Sequence, residues 1–208
     1  AGFTEKIVPF MSVFYLIGCL VVIVVHGGRL PQVFEAVFHE AFQFKAAAGG
    51  GAGFASAAVI QGISKGTFSN EAGLGSAPII YATAEESDGI KQGMWGIFQV
   101  FADTIVGCTV TALCILASGV LDSGLTGVAL STQAFSSVFG KMGGVFVAVS
   151  IVMFAFATLV SWSYYGEKSL EYLAGERLIP IYRFLYAVCA ALGCMLSLDS
   201  VWKAADTF

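Results

Sequence analysis

The stretch from Ala46 to Ser64 constrains the fold of this chain more than any other part of the sequence. Its nineteen residues carry no charge, and that is about the length of a helix that spans a bilayer. Near its beginning lie five small residues in a row, Gly49, Gly50, Gly51, Ala52 and Gly53. Because glycine destabilises a helix interior, we expect the spanning helix to be broken there. At membrane depth, the backbone groups that such a break frees must face protein or a polar cavity.

A break of this kind favours a binding site. In transporters, discontinuous helices present amides that hold an anion and carbonyls that hold an ammonium group or a metal cation. A zwitterionic amino acid fits both sets of groups. The alternative is that residues 49–53 let two helices pack closely, as small-residue motifs do in membranes. Five consecutive small residues exceed what such a seam requires, so the broken helix is the preferred interpretation.

The composition places the chain in a membrane. Hydrophobic residues make up 57% of it and charged residues 12%, against about 45–50% and about 25% in soluble domains. The net charge of −4 is thinly spread and forms no basic stripe, which argues against a nucleic-acid partner. The five cysteines lie singly in apolar runs rather than at metal or redox spacings. The lipid bilayer is therefore the first partner that the sequence predicts.

The uncharged runs predict an all-α, polytopic transmembrane helical bundle. Spanning helices are expected at about 7–26, 46–65 (broken at 49–53), 90–118, 143–166 and 179–198, with the start of another at 201. Apolar residues at helical spacing predict an amphipathic surface helix at 31–45. Alternation of the spans, with the Lys and Arg count, places loop 66–89 in the cytoplasm and loop 119–142 outside the cell. The chain lacks an initiator Met and ends within a new segment, so we expect an internal piece of a longer protein.

Two of the spans carry polar residues. Asp103 lies near the middle of the third span, where a carboxylate is costly in lipid and should face the bundle interior. In the fourth span, Thr158, Ser161, Trp162 and Tyr165 share one helical face. That face could hold a hard cation and close a small pocket. The alternative is an aromatic belt at the interface, with hydroxyl groups that bond neighbouring helices.

Several blocks of the sequence resemble the alanine or glycine:cation symporter family, of the sodium:alanine type, in its carboxyl-terminal half. The most specific blocks are SNEAGLGSAP at 69–78 and WSYYGE at 162–167. Shorter matches follow the family's order at 8–11, 101–104, 123–127, 154–156 and 196–199. The resemblance implies a partial leucine-transporter-like fold, in which two inverted repeats hold the substrate between discontinuous helices.

The resemblance also implies roles for individual residues. The backbone of 49–53 matches the unwound segment that contacts the amino acid, and Thr158 and Trp162 match pocket residues. The family's sodium site maps to Thr158, to the backbone carbonyl of Phe154 and to the position of Ala157. Ala157 stands where the family often has a hydroxyl residue, so one ion ligand is missing or is supplied elsewhere. The matching blocks contain four further candidate site residues, Asn70, Glu71, Asp103 and Thr104.

The expected function is sodium-driven uptake of alanine or glycine by alternating access, in the cell membrane of a prokaryote. Sodium is the coupling ion, and no cofactor or covalent chemistry is expected. One alternative is proton coupling with Asp103 as the carrier, since an intramembrane carboxylate can relay protons. A remote alternative is an intramembrane enzyme. The sequence gives it little support, since it shows no paired intramembrane carboxylates.

Overall fold

The computed structural model describes residues 2–42, 62–63, 66–67, 69–71, 73–86, 88–197 and 201. All regular structure in these residues is helical. The α-helices are α1 (Gly2–Val25), α2 (Leu30–Phe42), α3 (Ala77–Tyr81), α4 (Gly89–Val100), α5 (Thr109–Ser118), α6 (Gly127–Phe139), α7 (Lys141–Ala174) and α8 (Ile179–Gly193). A π-helix, Phe101–Cys108, joins α4 to α5. The prediction of an all-α membrane fold is confirmed.

Three of the described helical stretches are long and apolar enough to cross a membrane, namely Lys6–Val25, Gly89–Ser118 and Lys141–Ala174. The second of these contains the π-helix. α7 continues to Ala174, eight residues beyond the end of the predicted span 143–166, and in that extension Lys168 pairs with Glu171 at 2.7 Å. α8 has 15 residues and lies within the predicted span 179–198.

Two further predictions concern the segments between the spans. The predicted surface helix at 31–45 overlaps α2, and the connection at 119–142 contains α6. The predicted break at Gly49, Gly50, Gly51, Ala52 and Gly53 lies outside the described residues. It therefore stays a prediction from the sequence.

The chain divides into two compact units, Ala1–Phe154 and Ala155–Phe208. The core of the first unit is a cluster contributed by α1, α5, α6 and the beginning of α7. Its buried members are Cys19, Val22, Ile23, Cys114, Ala134, Phe135 and Val147. The Phe135 ring stacks on Phe146 with 4.9 Å between ring centroids. Aromatic stacking of this kind adds to the stabilisation that burial gives.

Gly143 fixes how closely α6 and α7 approach in this unit. A Cβ atom at Gly143 would lie 2.6 Å from the carbonyl carbon of Phe135 and from the backbone nitrogen of Ser136. No side chain can relieve that contact, because both neighbours are backbone atoms. The next residue, Gly144, has room for a Cβ atom, whose nearest neighbour would be the Thr132 methyl group at 3.6 Å. Glycine is therefore required at 143 but not at 144.

Candidate functional site

The π-helix contains two of the candidate residues of the first unit, Asp103 and Thr104. π-Helical turns are rare and are frequent at functional sites. The Thr111 hydroxyl donates to the carbonyl of Gly107, near the end of the π-helix, at 2.9 Å. The Tyr15 hydroxyl lies 3.3 Å from the Thr111 oxygen. Because Thr111 has only one hydroxyl hydrogen, Tyr15 is the donor in that bond, and α1 is thus tied to the end of the π-helix.

The segment that follows the predicted broken helix meets the π-helix through two side-chain hydrogen bonds. Ser69 donates to the Asp103 carboxylate at 3.4 Å, and the Asn70 amide donates to the Thr104 hydroxyl at 3.3 Å. The structure therefore brings together three residues that the sequence had marked, Asn70, Asp103 and Thr104. Ser69 was not among the sequence candidates, although it opens the SNEAGLGSAP block.

The loop after Asn70 has an unusual backbone. Glu71 has a φ angle of +57°, in the left-handed region that non-glycine residues rarely adopt, and Gly73 and Gly75 have φ angles of +82° and +80°. The Ser76 hydroxyl donates to the Glu71 carboxylate at 2.7 Å and closes the loop. Backbone strain of this kind tends to occur at functional sites. Glycine adopts such φ angles without strain, which explains Gly73 and Gly75, whereas Glu71 is strained.

A pocket of about 550 Å³ lies between this loop and α4. Its wall includes Glu71, Tyr81 and Gly96. Tyr81 donates its hydroxyl hydrogen to Gln99 at 2.9 Å, and its ring packs over Gly96, where a Cβ atom would lie 3.1 Å from the ring. Burial raises the pKa of the Tyr81 phenol, and the Glu71 carboxylate raises it further, so the donor stays protonated at neutral pH. Sequence reasoning missed Tyr81 and Gln99. The spacing of Gly93 and Gly96 on one face of α4 was the available signal.

The remaining candidates lie on α7. Phe154, Ala157, Thr158 and Trp162 all belong to this helix. Ala157 is buried and Thr158 is exposed. The rings of Trp162 and Tyr165 contact edge to face, with centroids 5.9 Å apart. Thr158 and Trp162 are one turn apart, so they lie on the same face of α7, as the sequence predicted.

In the second unit, side-chain hydrogen bonds and one close approach join α8 to α7. The Tyr186 hydroxyl donates to the Leu159 carbonyl at 3.0 Å. The Arg183 guanidinium donates two hydrogen bonds to Glu167, at 2.8 and 2.7 Å. The Tyr182 hydroxyl lies directly over Gly166, where it leaves no room for a Cβ atom. Sequence reasoning identified none of these contacts, because helical periodicity relates residues within one helix and not residues of two different helices.

These contacts lie beside the face of α7 that carries the candidate pocket residues. Leu159 follows Thr158 by one residue, a rotation of about 100° around the helix, whereas Gly166 follows Trp162 by four residues and lies about 40° from it. α8 therefore contacts α7 along the border of the face of Thr158 and Trp162. Within the described residues, no group of three His, Cys, Asp or Glu side chains could hold a metal ion.

Comparisons with known proteins identify the same family that the sequence blocks resemble. The model of the sodium:alanine symporter family matches residues 1–208. The chain is similar to the sodium/alanine symporter AgcS of Methanococcus maripaludis, with 40% identity over 98% of this chain and 45% of that protein. It is also similar to a probable sodium/glutamine symporter of Bacillus subtilis, with 40% identity over 100% of this chain and 43% of that protein.

A third relative is a putative sodium/proton-dependent alanine carrier protein of Bacillus subtilis. It is 34% identical over 85% of this chain and 39% of its own length. The chain thus spans less than half the length of these three relatives.

Proposed function

Because the chain belongs to the sodium:alanine symporter family, we propose that it is part of a secondary transporter that couples sodium entry to uptake of alanine or glycine. The match of the family model to all 208 residues is the observation that carries this proposal. The family and the three relatives are described as symporters or carriers, so the alternative of an intramembrane enzyme is set aside. The proposed location is the cell membrane of a prokaryote.

In the proposed mechanism, the ion and the amino acid together stabilise an occluded state that neither reaches alone. The backbone freed at 49–53 binds the amino acid, and Trp162 forms a wall of the pocket. Thr158 contributes its hydroxyl to the sodium site, together with the carbonyl of Phe154. Three observations support this assignment: the glycine-rich run, the shared face of Thr158 and Trp162, and the resemblance of these positions to the family's pocket.

The direct test is uptake of labelled alanine by the full-length protein in proteoliposomes. We expect accumulation with an inward sodium gradient and none when potassium replaces sodium. Competition by unlabelled glycine and glutamine then defines the substrate, since one relative is described as a glutamine symporter. Uptake that glutamine blocks and glycine does not would overturn the choice of a small amino acid.

Thr158→Ala is expected to weaken sodium dependence more than maximal rate. Loss of one oxygen ligand should raise the half-saturating sodium concentration about tenfold, the usual scale for a lost bond to a charged group. The measurement is a sodium titration of alanine uptake. Thr158→Ser keeps the hydroxyl and is the matched control, with a titration close to that of the wild type. An unaltered titration in Thr158→Ala would remove this residue from the ion site.

A second candidate function is proton coupling through Asp103. One relative is described as sodium/proton-dependent, and Asp103 lies in the π-helix, where it accepts a hydrogen bond from Ser69. Asn retains an oxygen that accepts this bond and removes the titratable group, so Asp103→Asn separates structure from proton transfer. We expect Asp103→Asn to keep sodium-driven uptake at neutral pH. If a pH gradient alone drives uptake in the wild type and fails in the variant, proton coupling is the better account.

A further inference from the structure

Tyr186 joins α8 to α7 directly beside the proposed pocket. Its hydroxyl donates to the carbonyl of Leu159, the residue that directly follows Thr158. The other two contacts, of Tyr182 with Gly166 and of Arg183 with Glu167, lie about two turns farther along α7. Of these contacts between described residues, two lie at the far end of this stretch and the Tyr186 bond lies beside Thr158.

The Tyr186 bond restrains the orientation of α7 beside Thr158. Inside a regular helix, the Leu159 carbonyl also accepts from the backbone N–H four residues later, and its second lone pair is available for Tyr186. The Leu159 carbonyl belongs to the peptide group that joins Leu159 to Val160, and because the turn is helical, a bond to this group restrains the whole turn that contains Thr158. The Tyr182 ring, at 5.9 Å between centroids, packs against the Tyr186 ring and supports it. The hydroxyl of Tyr186 thus acts on Thr158 through the backbone and without touching it.

We propose that Tyr186 is a positioning residue for the Thr158 site, which it preorganises through the Leu159 carbonyl. This inference rests on the proposed function, because it assumes that Thr158 binds sodium or the amino acid. A site that is already ordered before binding loses less conformational freedom when the ion arrives. Loss of the hydroxyl therefore lowers affinity and leaves the rate at saturation nearly unchanged. Side-chain hydrogen bonds between membrane helices set the expected scale at about threefold to tenfold.

The test compares Tyr186→Phe with Tyr182→Phe in the full-length protein. Both variants keep the aromatic ring and lose one hydroxyl on the same face of α8. We expect Tyr186→Phe to raise the half-saturating sodium concentration about threefold to tenfold, with maximal uptake per inserted protein within about twofold of wild type. Tyr182→Phe, which acts two turns away, should leave the half-saturating concentration unchanged. Thermal unfolding of the detergent-purified variants provides the structural readout.

Each outcome decides the inference. A lower unfolding midpoint or a lower maximal rate in Tyr186→Phe, without a change in half-saturation, would indicate a purely structural role and overturn the proposal. Equal shifts in both variants would also overturn it. If the wild type shows no sodium dependence, the proposed coupling fails by itself. The inference is then decided by the half-saturating alanine concentration, which must rise in Tyr186→Phe and stay constant in Tyr182→Phe.

Discussion

Replacement of Gly51 by valine is expected to reduce alanine uptake to background while the protein still inserts into the membrane. Gly51 is the centre of the five small residues at 49–53, and a branched side chain there restricts the backbone and fills the space into which the amino acid would bind. Insertion should persist, because valine makes the uncharged run more apolar. The measurements are uptake in proteoliposomes and the amount of protein extracted from the membrane fraction.

Gly62→Val is the matched control for this experiment. Gly62 belongs to the same uncharged run, and among the described residues a Cβ atom there would meet no neighbour within 4 Å. We therefore expect Gly62→Val to retain most of the uptake. Wild-type rates in Gly51→Val would refute the assignment of the pocket to residues 49–53. Equal loss in both variants would show that the run tolerates no branched residue, and the pocket assignment would lose its support.

Among the substitutions proposed for this chain, Gly143→Ala is expected to cause the largest fall in the free energy of unfolding. The added methyl group would lie 2.6 Å from backbone atoms of Phe135 and Ser136, so α6 and α7 must separate around the aromatic core. Overpacking of a core costs about 1–3 kcal/mol when side chains can adjust, and here the backbone must move. We expect the free energy of unfolding to fall by about 3 kcal/mol or more. The readouts are the thermal unfolding midpoint and the yield of monodisperse protein in detergent.

Gly144→Ala provides the comparison, since its methyl group would make an ordinary contact at 3.6 Å with Thr132. Both substitutions have the same effect on helix propensity, so the difference between them isolates the close approach at Gly143. Similar midpoints for the two variants would mean that α6 and α7 do not meet there as closely as described.

The membrane helices could be predicted because lipid imposes a simple rule on the sequence. A spanning helix must remain apolar for about twenty residues, and the uncharged runs that form most of α1 and α7 satisfy that rule. Asp103 interrupts the run behind Gly89–Ser118, and that interruption did mark a residue of the π-helix. The rule does not reveal the π-helix itself, because one widened turn has the same composition as an α-helical one.

The sequence marked candidate site residues but did not indicate which of them contact one another. Sequence blocks marked Asn70 and Thr104, which are 34 positions apart, and no periodicity connects residues at that separation. The left-handed backbone of Glu71 was equally hidden, since glutamate gives no local signal for it. The contact of Tyr186 with the Leu159 carbonyl was hidden for another reason. The acceptor is a backbone carbonyl, and since every residue has one, the sequence does not mark it.

Because of the π-helix, the direction of the polar side chains in Gly89–Ser118 depends on the exact number of residues in this helical stretch. Ser69 and Asn70 donate hydrogen bonds to the beginning of the π-helix, and Thr111 donates one to Gly107 near its end. Hydrogen bonds therefore restrain the π-helix at both ends. Removing one residue from the α-helical turns of α5 would rotate Asp103 by about 100° relative to the part of α5 that follows the deletion. The hydrophobic character of the helix would hardly change, yet its polar groups would face another direction. Single-residue length variation in this helix is therefore a more severe change than most substitutions along it.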